Sequence, residues 1–293
     1  MHRLFPVFQV LLIGLLALGS AYVAGASPQS NPDDPISQIV SPAAEPDFAT
    51  RHSSLHAMPE SALRAGTSRL IEFLDRDTPP PGMEPDDLLS LKNDVADRFI
   101  VHDIAPAEHF HLALRTIGDR SRDFVWRDYC LQKLPELIAA DALADSERQA
   151  AAKQLQSLIA GSDPGLTGTA LIAAWRLGKG AMAEWAPPVN QLGAAALTCA
   201  QATGAPLIDR VTALQVAAEL KHFGTAAYAA SLLHDDPKQG ETVPAMLRTS
   251  AIAALGALGE SQYLSLVEQH RRSPDIRLRA AARTALDRIA ALN

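Results

Sequence analysis

The residues that decide the fold are Leu247-Arg-Thr-Ser-Ala-Ile-Ala-Ala-Leu-Gly-Ala-Leu258, which return in similar form as Leu278-Arg-Ala-Ala-Ala-Arg-Thr-Ala-Leu-Asp-Arg-Ile289. A helix-forming unit that recurs after about 31 residues is typical of an array in which stacked helix pairs bury their apolar faces against their neighbours. The repetition therefore predicts an all-α fold, a right-handed α-α superhelix of about 4–6 helix pairs.

Weaker copies of the same unit occur upstream. They are Trp126–Leu134, Ala170–Gly178 and Val216–Gly224. Successive units fall about 31 to 46 residues apart, which is the range expected for arrays of paired helices. Prolines stand where helices could begin and glycines where they could end, so we expect short turns between helices of modest length.

Composition supports close helix packing and argues against one class of partner. Of the 293 residues, 47% are hydrophobic but only 5% are aromatic, and much of the apolar content is Ala. Small side chains of this kind favour helices that approach one another closely. The formal net charge is −7, which opposes the positive field that a phosphate backbone requires, so we expect no nucleic-acid partner.

The first residues have the pattern of a secretory signal peptide. Arg3 precedes the apolar stretch Val10–Leu18, and small residues follow up to Ala24–Ala26. This order predicts a signal peptide over residues 1–26 and an exported protein, periplasmic or extracellular. In the alternative, Val7–Ala26 stays uncleaved as a membrane anchor. The membrane would then be contacted only through this segment.

Two further divisions follow along the chain. Residues 27–57 are rich in proline, serine and aspartate, which predicts a disordered linker. The prolines are Pro28, Pro32, Pro35, Pro42 and Pro46. Residues 58–293 then form the predicted helical domain.

The end of the chain resembles a known repeat family. The turn and second helix of a HEAT repeat are similar to the stretch Ser273-Pro-Asp-Ile-Arg-Leu-Arg279-Ala-Ala-Ala-Arg-Thr-Ala-Leu286. The resemblance is clearest over residues 206–293. It implies a HEAT-like solenoid with a ladder of Asp and Arg side chains between neighbouring repeats. That ladder would pair Asp275 with Arg279, and Asp236 with Arg248.

Histidines offer the only candidates for metal chemistry. His102, His109 and His111 lie close together in sequence with acidic neighbours, and imidazoles with carboxylates can bind zinc. His109 and His111 would nevertheless point about 200° apart on a helix. His52 and His56 have the better i,i+4 spacing but fall in the predicted linker. We therefore predict no metal ligands, no cofactor and no catalytic residues.

Other possible sites have simpler explanations. Lys179 lies between two glycines but lacks the rest of a phosphate-binding loop. The acidic pairs Asp86-Asp87 and Asp235-Asp236 stand beside prolines, where capping and turn formation account for them. Cys130 and Cys199 are expected to be two free thiols, with a disulfide left open as the alternative.

The predicted function follows from the shape. We expect a noncatalytic protein-protein interaction or scaffold module, not an enzyme, that binds a protein partner outside the cytoplasm along the face formed by successive repeat helices. The residues that contact the partner are not predicted. Because HEAT-like repeats also occur in proteins related to phycobilin lyases, the resemblance leaves open a small-molecule or chromophore-handling role. A metal-dependent enzyme is the second alternative, and it would require His102, His109 or His111 to converge with a carboxylate.

Overall fold

The computed structural model describes residues 34–234 and 243–292, and these contain helices but no β-strand. The predicted all-α fold is therefore confirmed. The α-helices in chain order are α1 (Pro35–Val40), α2 (Phe48–Ala57), α3 (Glu60–Ala65), α4 (Thr67–Leu74), α5 (Pro85–Val101), α6 (Pro106–Gly118), α7 (Phe124–Ile138), α8 (Asp145–Ile159), α9 (Thr167–Lys179), α10 (Val189–Gln201), α11 (Leu207–Glu219), α12 (Thr225–Ser231), α13 (Ala245–Leu258), α14 (Leu264–Gln269) and α15 (Ile276–Leu292).

The helices from α4 onward form an ordered stack of pairs. Helices α5, α7, α9, α11, α13 and α15 each pack on the next in this order, and each is covered by the helix that precedes it in the chain. Each pair thus buries its apolar side mainly against adjacent pairs, as in a solenoid. The described residues form six such pairs, in agreement with the predicted number.

Two apolar clusters form the core. The first runs from Ile36 to Leu177 and contains Leu, Ile and the rings of Phe73, Phe99 and Phe110. The second runs from Leu171 to Ala285 and is dominated by Ala. Helices approach closely in the second cluster: a Cβ added to Gly256 of α13 would lie 2.7 Å from the Cα of Ala285 on α15.

The predicted linker over residues 27–57 is wrong for residues 34–57, which form α1 and α2. The Asp34 side chain accepts a hydrogen bond from the Ile36 amide and the Asp47 side chain from the Thr50 amide, so each carboxylate caps a helix. The fully buried Arg51 guanidinium donates to four backbone carbonyls of residues 39–46. These contacts order the segment despite its polar composition, and its buried Ile36, Ile39 and Leu55 join the first core cluster.

The remaining part of that linker and the predicted signal peptide over residues 1–26 lie outside the described residues. Among the residues that are described, no helix combines the length and the apolar character needed to cross a membrane.

The predicted Asp–Arg ladder is wrong in its pairing. Asp275 pairs with Arg277, and the Arg279 side chain donates instead to the carbonyls of Ser273 and Pro274. The other predicted pair involves Asp236, which lies outside the described residues. Polar contacts between neighbouring pairs do exist further upstream, where Arg127 of α7 binds Asp163.

A buried carboxylate makes a second contact of this kind. Both carboxylate oxygens of Asp209 on α11 accept backbone amides at the start of α9, from Gly165 at 2.7 Å and from Gly168 at 2.8 Å. Asp209 thus satisfies amides that lack a partner within α9 and joins one helix pair to the next.

Candidate metal site

Helix α2 brings two imidazoles onto one face. Residues four apart in a helix lie above one another, and the rings of His52 and His56 have centroids 4.3 Å apart. The buried side chains of Arg51 and Leu55 each precede one of the histidines and lie about 100° around the helix, so the burial of that face leaves both imidazoles at the edge of the core. The Phe48 ring lies one turn before His52, at 5.7 Å between centroids.

The third group of the cluster comes from α5. Leu91 and Val95 of this helix face the core, and Asp94 lies beside that apolar stripe, next to α2. The Asp94 Oδ2 atom is 3.3 Å from His52 Nε2 and 3.7 Å from His56 Nε2, and the two Nε2 atoms are 3.1 Å apart. One oxygen and two nitrogens therefore form a small triangle.

The size of this triangle suits a first-row metal ion. Three atoms at these separations lie on a circle of about 2.0 Å radius, close to the roughly 2.0–2.2 Å at which Zn²⁺ binds imidazole nitrogen and carboxylate oxygen. An ion slightly out of the plane of the three atoms would have all of them at bonding distance. Neutral imidazole and carboxylate are also the donor types that zinc and iron accept.

The cluster is accessible from solvent. The exposed fractions of the side chains are 42% for His52, 53% for His56 and 24% for Asp94. Within the described part of the chain, this is the one group of three His, Cys, Asp or Glu side chains whose ligand atoms all come close enough to share an ion. Since three protein ligands leave coordination positions unfilled, water or a substrate could reach an ion bound here.

The histidines considered for a metal site near the start of α6 do not converge. His102 Nδ1 is 3.3 Å from a Glu60 oxygen, and His111 Nε2 is 2.5 Å from a Glu147 oxygen. His109 is buried with its ring against Phe99. Burial lowers the pKa of His109 to about 4, with a smaller contribution from Lys133, so this ring is neutral near pH 7.

The other candidate sites from the sequence are explained by contacts that stabilise the fold. Lys179 Nζ lies 3.8 Å above the centre of the Trp175 ring at the end of α9. Asp86 and Asp87 lie in the first turn of α5, where negative charge interacts favourably with the helix dipole. The pair Asp235-Asp236 lies outside the described residues.

Both thiols are free, as expected. Cys130 is buried and Cys199 is partly buried. Burial raises the pKa of Cys130 to about 12 and that of Cys199 to about 11. Neither thiol ionises near neutral pH, so neither is an activated nucleophile.

Comparisons with known proteins identify no family. No protein-family model and no curated protein sequence matches this chain. Among solved structures, the chain is similar to human deoxyhypusine hydroxylase in complex with glycerol, with 17% sequence identity and a TM-score of 0.36 over 88% of this chain and 96% of that one.

These findings correct two predictions made from the sequence. The predicted noncatalytic scaffold and the prediction that the chain is not an enzyme are corrected, because the described residues hold a possible metal site at His52, His56 and Asp94. This cluster favours the alternative of a metal-dependent enzyme. The likeness to the solved structure concerns the helical fold alone.

Two of the three ligand candidates have a signal in the sequence, which is the i,i+4 spacing of His52 and His56. The prediction of no metal ligands assigns these residues to a linker, whereas they lie in helix α2. Asp94 carries no comparable signal, because nothing in the sequence places α5 beside α2. The caps at Asp34 and Asp47 are the local features that could have revealed helices in this region.

Proposed function

We propose that this protein is a metal-dependent enzyme with a mononuclear centre formed by His52, His56 and Asp94. The single observation that supports the proposal is the triangle of ligand atoms, whose sides are 3.1, 3.3 and 3.7 Å. Two neutral imidazoles and one carboxylate would hold a divalent ion, and the resulting site would carry a net charge of about +1. The ion would therefore still act as a Lewis acid towards a bound water or substrate.

Hydrolysis is the reaction class that this arrangement favours. A zinc ion with three protein ligands lowers the pKa of a bound water to about 7 and so supplies hydroxide at neutral pH. His52 and His56 hold the ion from one helix, and Asp94 holds it from the other. The exposure of the two imidazoles leaves room for a substrate to approach.

Metal binding is the first test. The full chain is treated with a chelator and then titrated with Zn²⁺ and with Co²⁺, whose visible absorption reports the coordination geometry. We expect one equivalent to bind at this site. Asp94→Asn and His56→Gln should each weaken binding by at least about 100-fold, since loss of an outer-shell partner alone weakens metal affinity by roughly 10- to 100-fold.

His111→Gln provides the matched control. His111 is similarly exposed, 49% against 53% for His56, and also contacts a carboxylate, that of Glu147. It lacks a third ligand, so this variant should bind metal as the wild type does. Equal binding by the wild type and by Asp94→Asn would refute the site.

Turnover is the second test. The zinc-loaded protein is assayed with 4-nitrophenyl acetate and with bis(4-nitrophenyl) phosphate. We expect hydrolysis of at least one of them that is abolished by the chelator and by Asp94→Asn but retained in His111→Gln. A protein that binds one metal ion tightly but hydrolyses neither substrate above the rate of Asp94→Asn would contradict the proposed hydrolysis and indicate a structural ion that joins α2 to α5.

We propose two finer points that bear on where the enzyme works and how it is built. The stacked pairs are HEAT-like repeats, a proposal supported by the recurrence of the helix motif after about 31 residues. Residues 1–26 direct export, as the apolar stretch and the small residues before Ser27 suggest. Mass spectrometry of protein recovered from the culture should find Ser27 at the amino terminus; a chain that retains residues 1–26 would contradict cleavage.

A further inference from the structure

The ligand atoms of the metal site come from two helices, so the separation of α2 and α5 decides whether an ion fits. His52 and His56 belong to α2, and Asp94 belongs to α5. Their three atoms are 3.1, 3.3 and 3.7 Å apart. Metal–ligand distances vary by only about 0.2 Å, so a shift of α2 by about 1 Å would take an imidazole out of bonding range.

Arg98 makes a polar contact between these two helices outside the cluster. Its Nη2 atom donates to the carbonyl oxygen of Met58 at 2.5 Å. Met58 ends α2 and lies two positions after His56, and Arg98 lies one helical turn after Asp94 on α5. Among the described residues, no other side-chain hydrogen bond or ion pair joins α5 to residues 48–58, apart from the contacts of Asp94 with the two imidazoles.

The end of α2 needs a donor of this kind. The last carbonyls of an α-helix have no amide partner within the helix, and a cationic side chain at that end also interacts favourably with the helix dipole. The Nε atom of Arg98 is buried and makes no hydrogen bond, so the contact with Met58 is the one that fixes the guanidinium. The buried Arg51 binds residues 39–46 instead of α5, so it does not set the distance between α2 and α5.

The Arg98 guanidinium makes no ion pair with Asp94, although both residues are described and lie one turn apart on α5. It is directed instead at the end of α2. The Asp94 carboxylate is therefore left to the two imidazoles and to an ion that they share.

From these contacts we infer that Arg98 is a positioning residue of the metal centre. By binding the end of α2, it keeps the imidazoles of His52 and His56 at bonding distance from an ion held by Asp94. This role rests on the proposed metal function, and Arg98 itself does not contact the ion. Loss of the guanidinium leaves all three ligands in the chain but allows the end of α2 nearest His56 to move away from α5.

Titration of the full chain with Co²⁺ is the test. Arg98→Met removes the donor, and we expect it to weaken Co²⁺ binding by about tenfold, as loss of a group that supports a metal ligand does. The visible absorption of the bound Co²⁺ should change as well, because it reports the geometry of the ligands. Arg98→Lys keeps a cationic donor and should recover part of the affinity and of the wild-type spectrum, since one hydrogen bond does not require the planar guanidinium.

Arg64→Met is the matched control. Arg64 also donates from a neighbouring helix to carbonyls at a helix end, those of His102 and Asp103 after α5. It does not contact α2, so this variant should bind Co²⁺ with the affinity and the spectrum of the wild type. Urea denaturation of both variants measures the accompanying loss of stability, and the titrations are done without urea, where each variant is folded.

Three results would overturn the role of Arg98 while leaving the metal site in place. The first is wild-type affinity and spectrum in Arg98→Met. The second is tighter binding in that variant, which would show that the guanidinium acts on the ion through its charge. The third is an equal loss of affinity in Arg64→Met, which would assign the effect to lower stability. A wild-type chain that binds no Co²⁺ would instead refute the proposed function, and the role of Arg98 with it.

Discussion

The N-terminal and C-terminal parts of the helical stack bury similar helix pairs with different side chains. About half of the buried residues in the C-terminal cluster are Ala, against about one in seven in the N-terminal cluster. Aromatic rings such as Phe73, Phe99 and Trp126 are buried only in the N-terminal cluster. Ala and Gly bring helices close together, whereas bulky and polar side chains hold them apart.

Where helices of the N-terminal part are held apart by large residues, there is room for groups such as His109, Glu136 and Arg51 between or beside them. The contact of α13 with α15 at Gly256 leaves no such space at that point, whereas a cavity of about 680 Å³ lies between α13, α14 and the start of α15. Polar side chains should therefore control stability in the first region, and close backbone contact should control it in the second.

The largest expected effect is at Arg51. Arg51→Met leaves the carbonyls of Ile39, Ser41, Ala43 and Pro46 without the guanidinium donor. We expect a loss of about 4 kcal/mol in the free energy of unfolding, since breaking a buried charged network is strongly destabilising. Urea denaturation measures this loss, and metal titration should show weaker binding because His52 is the next residue.

Arg69→Met is the control for this prediction. Arg69 binds Asp34 in the same segment, but its side chain is 45% exposed. An exposed ion pair contributes less than about 1 kcal/mol. If the two variants unfold at the same urea concentration, burial of the guanidinium is not what holds α1 and α2 in place.

The next effect concerns pH and His109. The pKa of this group is about 4 in the folded protein, against an ordinary value of 6.5. Between these two values only the unfolded chain takes up the proton, so stability is present above pH 6.5 and falls as the pH drops towards 4. The loss should approach about 3 kcal/mol.

Urea denaturation at pH 7 and at pH 4 measures this loss. His109→Leu should be less sensitive to acid by about that amount, whereas the exposed His111→Gln should behave as the wild type does. An equal acid sensitivity of His109→Leu and wild type would assign the effect to other groups.

The smallest effect tests the C-terminal region. Gly256→Ala places a Cβ 2.7 Å from the Cα of Ala285, so α13 and α15 must separate. Overpacking of this kind lowers stability by about 2 kcal/mol. Gly204→Ala is the matched change in open space, with no atom within 4 Å, and should alter stability by less than about 0.5 kcal/mol. Thermal unfolding compares them; a Gly256→Ala variant as stable as wild type would show that the contact can relax.

The repeat pattern was readable from the sequence because it is local. The spacing of Leu247, Leu255 and Leu258 reports which face of one helix is apolar, and the same spacing at Leu278 predicts the neighbour that covers it. The segment of residues 34–57 was not recognised, because its low hydrophobicity resembles a linker. The ordered structure of this segment depends on the buried Arg51. Because arginine is usually exposed, the amino-acid composition does not predict this burial.

The sequence by itself therefore determined that the chain is helical, repetitive and closely packed through small side chains, since these properties follow from the periodicity of each helix. It also spaces His52 and His56 four residues apart. Only the tertiary structure decided that Asp94 completes their triangle and that Arg98 binds the end of α2. Each of these contacts joins separate helices, and their distance depends on how the intervening side chains pack, which no local pattern encodes.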